Sequence, residues 1–248
     1  MSQRAKSRAV ESSSAPTRGS FHVEPTSHVE PVASLPPWLE PARAGLVDYA
    51  RLLATSGTER GLIGPREVPR LWERHLLNCA VVADPAVGLV PAAARIADIG
   101  SGAGLPGLVW AIVRPDVKVV LIEALLRRAT FLEDAVGQLG LMDRVTVRRA
   151  RAEDCAKSTD WQPVDVVTAR AVAALPTLLG WMIPLMGKSG VALALKGERA
   201  GEEVQEVRRD SHWARQQAGL DLTISCVGED LVDPPTTVVV ARWRNPQS

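Results

Sequence analysis

The sequence predicts an α/β protein: a mixed sheet, parallel in most of its strands, with a terminal antiparallel hairpin and a small N-terminal helical cap. Three observations predict it. From residue 92 onward, short apolar runs alternate with segments of helical period, the pattern of a parallel sheet covered on both faces. The last two runs, 222–227 and 237–243, have no helix between them and so pair antiparallel at one sheet edge. Residues 41–90 carry helical periodicity and precede the first strand.

The elements follow in order. Residues 1–40 are rich in Ser, Pro and charge, and His22-Val-Glu-Pro25 recurs as His28-Val-Glu-Pro31. This is low complexity with too little apolar surface to order itself, so a disordered tail is expected. Residues 41–53 place Leu46, Val47, Ala50 and Leu53 at helical spacing; a glycine-containing loop spans 56–64. A second helix is expected over 68–83, with Leu71, Trp72, His75, Leu76 and Cys79 on adjacent faces. Residues 41–90 are read as a cap and 91–248 as the main domain. In the main domain, strands are expected at 95–99, 117–122, 145–149, 164–168 and 191–195. Helices are expected at 105–113, 125–139, 175–186 (despite Pro184) and 202–218.

The bulk numbers narrow the function. The chain has 248 residues, of which 46% are hydrophobic, enough for one α/β domain with a tail or cap. With 29 basic and 28 acidic residues the formal charge is +1, so any nucleic-acid contact must come from a local basic face. Cys79, Cys155 and Cys226 are far apart and form neither a zinc spacing nor a disulfide framework; buried free thiols in a reducing compartment are expected. No apolar run is long enough to span a bilayer, and the basic N-terminus lacks the apolar run of a secretory signal. The expectation is a soluble, cytoplasmic protein, a monomer by preference, with no metal.

Chemistry concentrates in Asp98-Ile-Gly-Ser-Gly-Ala-Gly-Leu-Pro-Gly107, between a strand and a helix. Gly100, Gly102 and Gly104 let the backbone turn sharply and approach a ligand closely. Gly102-x-Gly104-x-x-Gly107 also matches the dinucleotide fingerprint, with Glu123 near the position of a ribose-binding acid. Asp98 argues against a dinucleotide, because a carboxylate there repels a pyrophosphate. It suits a phosphate-free cofactor with a cationic, amine-bearing end, such as S-adenosylmethionine (SAM). A tight turn without a ligand is the third reading.

The chain from Arg74 to Gly197 resembles the glucose-inhibited division protein B family, small-subunit ribosomal RNA guanine-N7 methyltransferases. The resemblance rests on Arg74-His75-Leu76, the glycine segment with its Gly-Leu-Pro-Gly ending, and Val113-Arg-Pro115. It extends to Arg127-Arg128-Ala-Thr-Phe-Leu132, Arg151-Ala-Glu153, Ala169-Arg-Ala171 and Leu195-Lys-Gly197, in family order. It implies a Rossmann-like, SAM-dependent methyltransferase acting on N7 of one guanine in 16S ribosomal RNA, with 16S RNA or the 30S subunit as partner. It also implies that Gly100, Leu105, Ala152, Glu153 and Arg170 hold the cofactor. Where an aspartate is common in the family, this chain has Glu123, with the charge kept and the reach longer.

Each residue has a competing structural reading. Glu123 is assigned to the ribose hydroxyls, against a helix-capping acid. Asp98 is assigned to the amino-acid end of SAM, against a cap for the loop amides; Gly102 belongs to the same loop. Glu153 is assigned to the adenine side, against a surface pair with Arg149 or Arg151, and Ala152 contributes backbone. Arg170 is expected to meet the SAM carboxylate or an RNA phosphate, against an ion pair with Asp98 or Asp165. Lys196 is expected at the RNA backbone or target base. Arg74 and His75 are candidates for the RNA entrance, against a hydrogen-bonded core histidine. Guanine N7 carries a lone pair and no proton, so no general base is required. No acid–base pair is assigned, and catalysis by positioning is expected.

Overall fold

The structure is a computed structural model that describes residues 34–210, 213 and 219–244; most of the expected tail lies outside the described residues. Seven strands form one sheet: β1 (Arg95–Ile99), β2 (Lys118–Ile122), β3 (Val145–Arg148), β4 (Val164–Arg170), β5 (Met186–Lys196), β6 (Leu220–Val227) and β7 (Thr236–Trp243). Their order is β3-β2-β1-β4-β5-β7-β6. The first five run parallel, and β7 inserts antiparallel between β5 and β6. The chain leaves β1 toward β2 on one side, and β4 takes the other. Their carboxyl ends therefore flank a topological switch point, where open α/β sheets bind ligands.

Alternation along each strand divides the core in two. Ile96, Val119, Leu121, Val166, Leu193 and Val240 face one layer, built from α1 (Arg43–Leu52), α2 (Asn78–Ala80), α3 (Gly107–Val113) and α4 (Leu126–Gln138). Ala97, Ile99, Val167, Ala169, Ala192 and Ala194 face the other, built from α5 (Ala152–Lys157), α6 (Leu175–Met182) and α7 (Ala200–Arg209). Small residues on this second face let α6 and α7 lie close to the sheet.

Several boundaries differ from expectation for physical reasons. The cap is no separate unit: Leu46, Tyr49, Leu53, Leu71 and Leu76 pack in one cluster with sheet residues Ile96 and Val238. The tail ends before residue 40, because Leu39 is fully buried and Leu35 and Trp38 pack against the same core. The helix expected over 68–83 is a succession of short turns: a 3-10 segment over Pro65–Arg70, a wide π segment over Leu71–Leu77, then α2. Pro69, inside the first of these, has no N–H to give an α-helical bond. Pro184 likewise ends α6 at Met182 and leaves a 3-10 turn, Ile183–Leu185. The helix expected over 202–218 is described as far as Arg209, and most of 211–218 lies outside the described residues. Cys79 and Cys155 are buried, but Cys226 is exposed.

Arg114 fastens the first layer. The residue is buried, 6% exposed, and its guanidinium donates to the carbonyls of Ala83, Val90 and Pro91 and to both oxygens of Asp116. It thus joins the end of the cap to the turn after α3, with its buried charge paired as burial requires.

Candidate active site

The turn after β1 is built from backbone constraints. Gly104 adopts φ +97°, and a Cβ there would lie 2.4 Å from Leu108 and 2.9 Å from the Tyr49 hydroxyl. A Cβ on Gly107 would fall 2.7 Å from the Asp98 carboxylate and 2.5 Å from Leu121. Both positions therefore demand glycine. The cap grips the turn from the side: the buried Tyr49 hydroxyl donates to the Ala103 carbonyl at 2.6 Å.

Two adjoining cavities open at the carboxyl ends of the strands and share Gly100, Arg128 and Ala171. The larger, about 370 Å³, is lined by Glu123, Ala152, Glu153 and Trp181, among others. The smaller, about 220 Å³, is lined by Gly102, Leu105, Ile63, His75 and Arg170, among others. Ala171 sits at their junction with φ +55°, a left-handed conformation that costs a non-glycine residue roughly 1–3 kcal/mol and that clusters at functional sites. The crevice thus brings together Gly100, Gly102, Leu105, Glu123, Ala152, Glu153, Arg170 and His75 from positions far apart in sequence.

Glu123 is 4% exposed and works as an anchor. One carboxylate oxygen accepts from the Gly102 N–H at 3.0 Å, the other from the Leu125 N–H at 2.9 Å. Each oxygen keeps a lone-pair direction for a ligand donor. The capping role and a ligand role are therefore compatible in one side chain.

Asp98 and Lys196 are both engaged by the protein itself. Asp98 is fully buried and lines neither cavity. One of its oxygens accepts from the Gly107 N–H at 3.0 Å, and the other has no partner. Burial raises its pKa to about 7, against the pull of the Gly107 hydrogen bond. It caps the loop from beneath. Lys196 lies on the α7 side of the sheet by strand parity. Its ammonium donates to Glu203 at 2.7 Å and to the Ala173 carbonyl at 2.8 Å, with the side chain 10% exposed. It ties β5 to α7 and the β4–α6 loop.

Arg170 points to the opposite face, toward the cap. It pairs with neither Asp98 nor Asp165, but donates to Cys79 Sγ, the Arg74 carbonyl and His75 Nδ1. Arg74 itself is exposed and pairs weakly with Glu67 at 3.4 Å. Sequence reasoning missed Arg128, Trp181, Ala171, Tyr49 and Glu67. Arg128 and Ala171 lay within family segments and Tyr49 is the sole tyrosine; Trp181 and Glu67 carried no local signal.

The glycine cradle, the carboxylate at the end of β2 and the cationic wall at the end of β4 fit a nucleoside cofactor without phosphate. Among the described residues, no cluster of three or more His, Cys, Asp or Glu could hold a metal, and no helix is long and apolar enough to cross a membrane.

Comparison with known proteins agrees. A solved structure from Klebsiella pneumoniae assigned as an O-methyltransferase superposes with TM-score 0.50 at 18% identity, over 86% of this chain and 93% of that one, a likeness of fold. The ribosomal RNA small subunit methyltransferase G of Thermobifida fusca is 56% identical over 191 residues, 77% of this chain and 76% of the relative. That of Streptomyces avermitilis is 51% identical over 215 residues, 84% of this chain and 86% of the relative. Residues 43–229 match the family model GidB, described as rRNA small subunit methyltransferase G, and the chain belongs to that family.

Proposed function

We propose that this chain transfers the methyl group of SAM to N7 of one guanine in 16S ribosomal RNA, in the cytoplasm, on the RNA or the assembled 30S subunit. The observation that carries the reading is the two-part crevice. Its larger half presents the carboxylates Glu123 and Glu153, which suit ribose and adenine and would repel a pyrophosphate. Its smaller half presents glycine-turn backbone and the Arg170 guanidinium, which suit the amino-acid end.

When bound, SAM supplies an electrophilic methyl group on a sulfonium. Glu123 would accept the ribose hydroxyls. Ala152 backbone and Glu153 would hold the adenine side. Gly100, Gly102 and Leu105 would shape the floor of the amino-acid half, with Arg170 at its wall. Asp98 supports the loop from below. Guanine N7 offers an in-plane lone pair, so the chain needs to move no proton; its work is to hold N7 in line with the methyl group. Arg128 lines both halves and is exposed, and Arg66, Arg70, Arg74 and Arg127 are exposed as well; these cations suit RNA phosphates. The target base must come from a single-stranded loop or be extruded from its stack.

The test is to map N7-methylguanine in 16S RNA from cells with and without this protein, and to assay the purified protein on 16S RNA, 30S subunits and tRNA. One 16S guanine should lose its methyl group in the deletion. An unchanged map, or transfer to tRNA alone, would refute the reading.

A further inference from the structure

The Arg170 guanidinium is held from the cap by three acceptors, none of them a carboxylate. Nη1 donates to Cys79 Sγ at 3.1 Å; Nη2 donates to the Arg74 carbonyl at 3.3 Å and to His75 Nδ1 at 2.6 Å. The far side of the imidazole, Nε2, lies 3.1 Å from the Glu67 carboxylate. The proton inventory here has one solution. A guanidinium has donors and no acceptor, so Nδ1 must accept and the imidazole proton sits on Nε2, donated to Glu67. Both ring nitrogens are then used, which leaves His75 no atom for an RNA contact.

We propose that Glu67 and His75 are positioning residues for Arg170, a relay from the cap that fixes the guanidinium at the crevice wall. Strand parity makes such a relay necessary. Arg170 faces the cap layer, where no acid among the described residues pairs with it, and an arginine with several free rotors would otherwise sweep across the smaller cavity. The 3-10 segment Pro65–Arg70 supplies Glu67, the π segment Leu71–Leu77 supplies His75 and α2 supplies Cys79, so Arg170 is set only when the cap is docked. The proposal rests on the reading above only for what Arg170 contacts, not for how it is held.

The relay has a titratable member. The charged and titratable groups facing the imidazole are Glu67 and Arg74 from the cap and Arg170 from β4, with Cys79 beside the guanidinium. Burial and then Arg170 hold the His75 pKa below its ordinary value, partly opposed by Glu67. Protonation would place a proton on Nδ1, remove the acceptor and set two cations against each other. Arg170 would then be released on the acid side of neutrality.

The experiment combines imidazole ¹⁵N NMR with methyl-transfer kinetics on the intact protein. The chain has 4 histidines, and His75→Asn identifies the relevant signal. The wild type should show a neutral, Nε2–H imidazole at pH 7.5 that titrates below 6.5, and kcat/KM should fall with the same midpoint. His75→Asn keeps an acceptor near Nδ1 that cannot protonate but loses the hold of Glu67, so it should keep more activity than His75→Leu and lose the acid limb. His75→Leu should lower kcat/KM about tenfold or more at pH 7.5, the scale of a misplaced contact group. In an Arg170→Gln background the same change should have almost no further effect. An Nδ1–H tautomer, an unaltered acid limb in His75→Asn, or a full His75→Leu effect without Arg170 would overturn the proposal. Should His75→Leu fail to fold, the NMR and His75→Asn results decide. A wild type that does not methylate guanine N7 would refute the proposed reaction, while the NMR still judges the relay.

Discussion

At the end of β2, Glu123 divides its carboxylate between the protein and the crevice. Its two backbone bonds show how an acid there serves the fold, and truncating the side chain removes them together with any ligand contact. Glu123→Ala should weaken SAM binding about tenfold or more, since a hydrogen bond to a charged acceptor contributes roughly 1.5–3 kcal/mol. Calorimetry showing unchanged affinity would remove Glu123 from the ribose site. Asp98 is a contrasting case, a fully buried carboxylate bonded to the loop. Its folded pKa of about 7 stands above the unfolded value of 3.8, so between these values the native state holds the proton more tightly. The sign follows: this contribution to stability is complete below pH 3.8 and is lost as pH rises through 7. The loss is on the order of 4 kcal/mol, and Asp98→Asn should flatten that slope. Denaturant titrations at pH 4, 5.5 and 7.5 measure it; parallel slopes in wild type and variant would contradict the assignment.

At the scale of elements, strand parity decides which cation meets which partner. Arg170 and Lys196 end neighbouring strands at the same sheet edge, yet one turns to the cap and the other to α7. The ion pair between Lys196 and Glu203 spans β5 and α7 with little solvent around it. Removing one member of such a pair strands the other charge, at roughly 3–5 kcal/mol. Lys196→Ala should therefore lower the melting temperature markedly, and any fall in methylation should follow the loss of folded protein. A stable variant that binds SAM and has lost only its RNA activity would restore Lys196 to the substrate side. The strands and the glycine turn were legible because each is written locally, as an apolar run or a fixed spacing. Helix α5 was not, since Ala152–Lys157 is too short to show a period. The first residues of β5, Met-Gly-Lys-Ser-Gly, carry no apolar run; Met186 pairs with Val164 of β4, and a register shift separates it from the regular pairing that begins at Val191. Glu123 was legible as the acid ending a strand, whereas Gly100, Leu105, Ala152, Glu153 and Arg170 were marked by the family resemblance. The contacts of Arg170 were not, because His75 lies 95 residues away and no local pattern selects it over Asp98 or Asp165.

Across the whole molecule, the cap and the sheet share one apolar cluster, so the division of the chain falls before the cap and not after it. Composition alone sets the tail boundary near residue 40; packing moves it back by several residues. Leu39 is fully buried in the cluster that contains Leu46 and Trp110, and Leu35 and Trp38 pack onto it. Two truncations separate these boundaries. A chain beginning at Ser34 keeps every one of these contacts and should retain the melting temperature and SAM affinity of the full chain. A chain beginning at Pro41 loses Leu39 and leaves a void against the cap, a change of the size of a buried leucine truncation, roughly 2–5 kcal/mol. For a chain of this length that is a fall of roughly 5–15 °C. Because the cap holds both the glycine turn through Tyr49 and the Arg170 guanidinium through His75, SAM affinity should fall together with stability. Thermal melts and calorimetry on the two truncations decide between the boundaries. Equal stability of both would return Leu35–Glu40 to the tail, and a large loss already at Ser34 would give residues 1–33 a part in the fold.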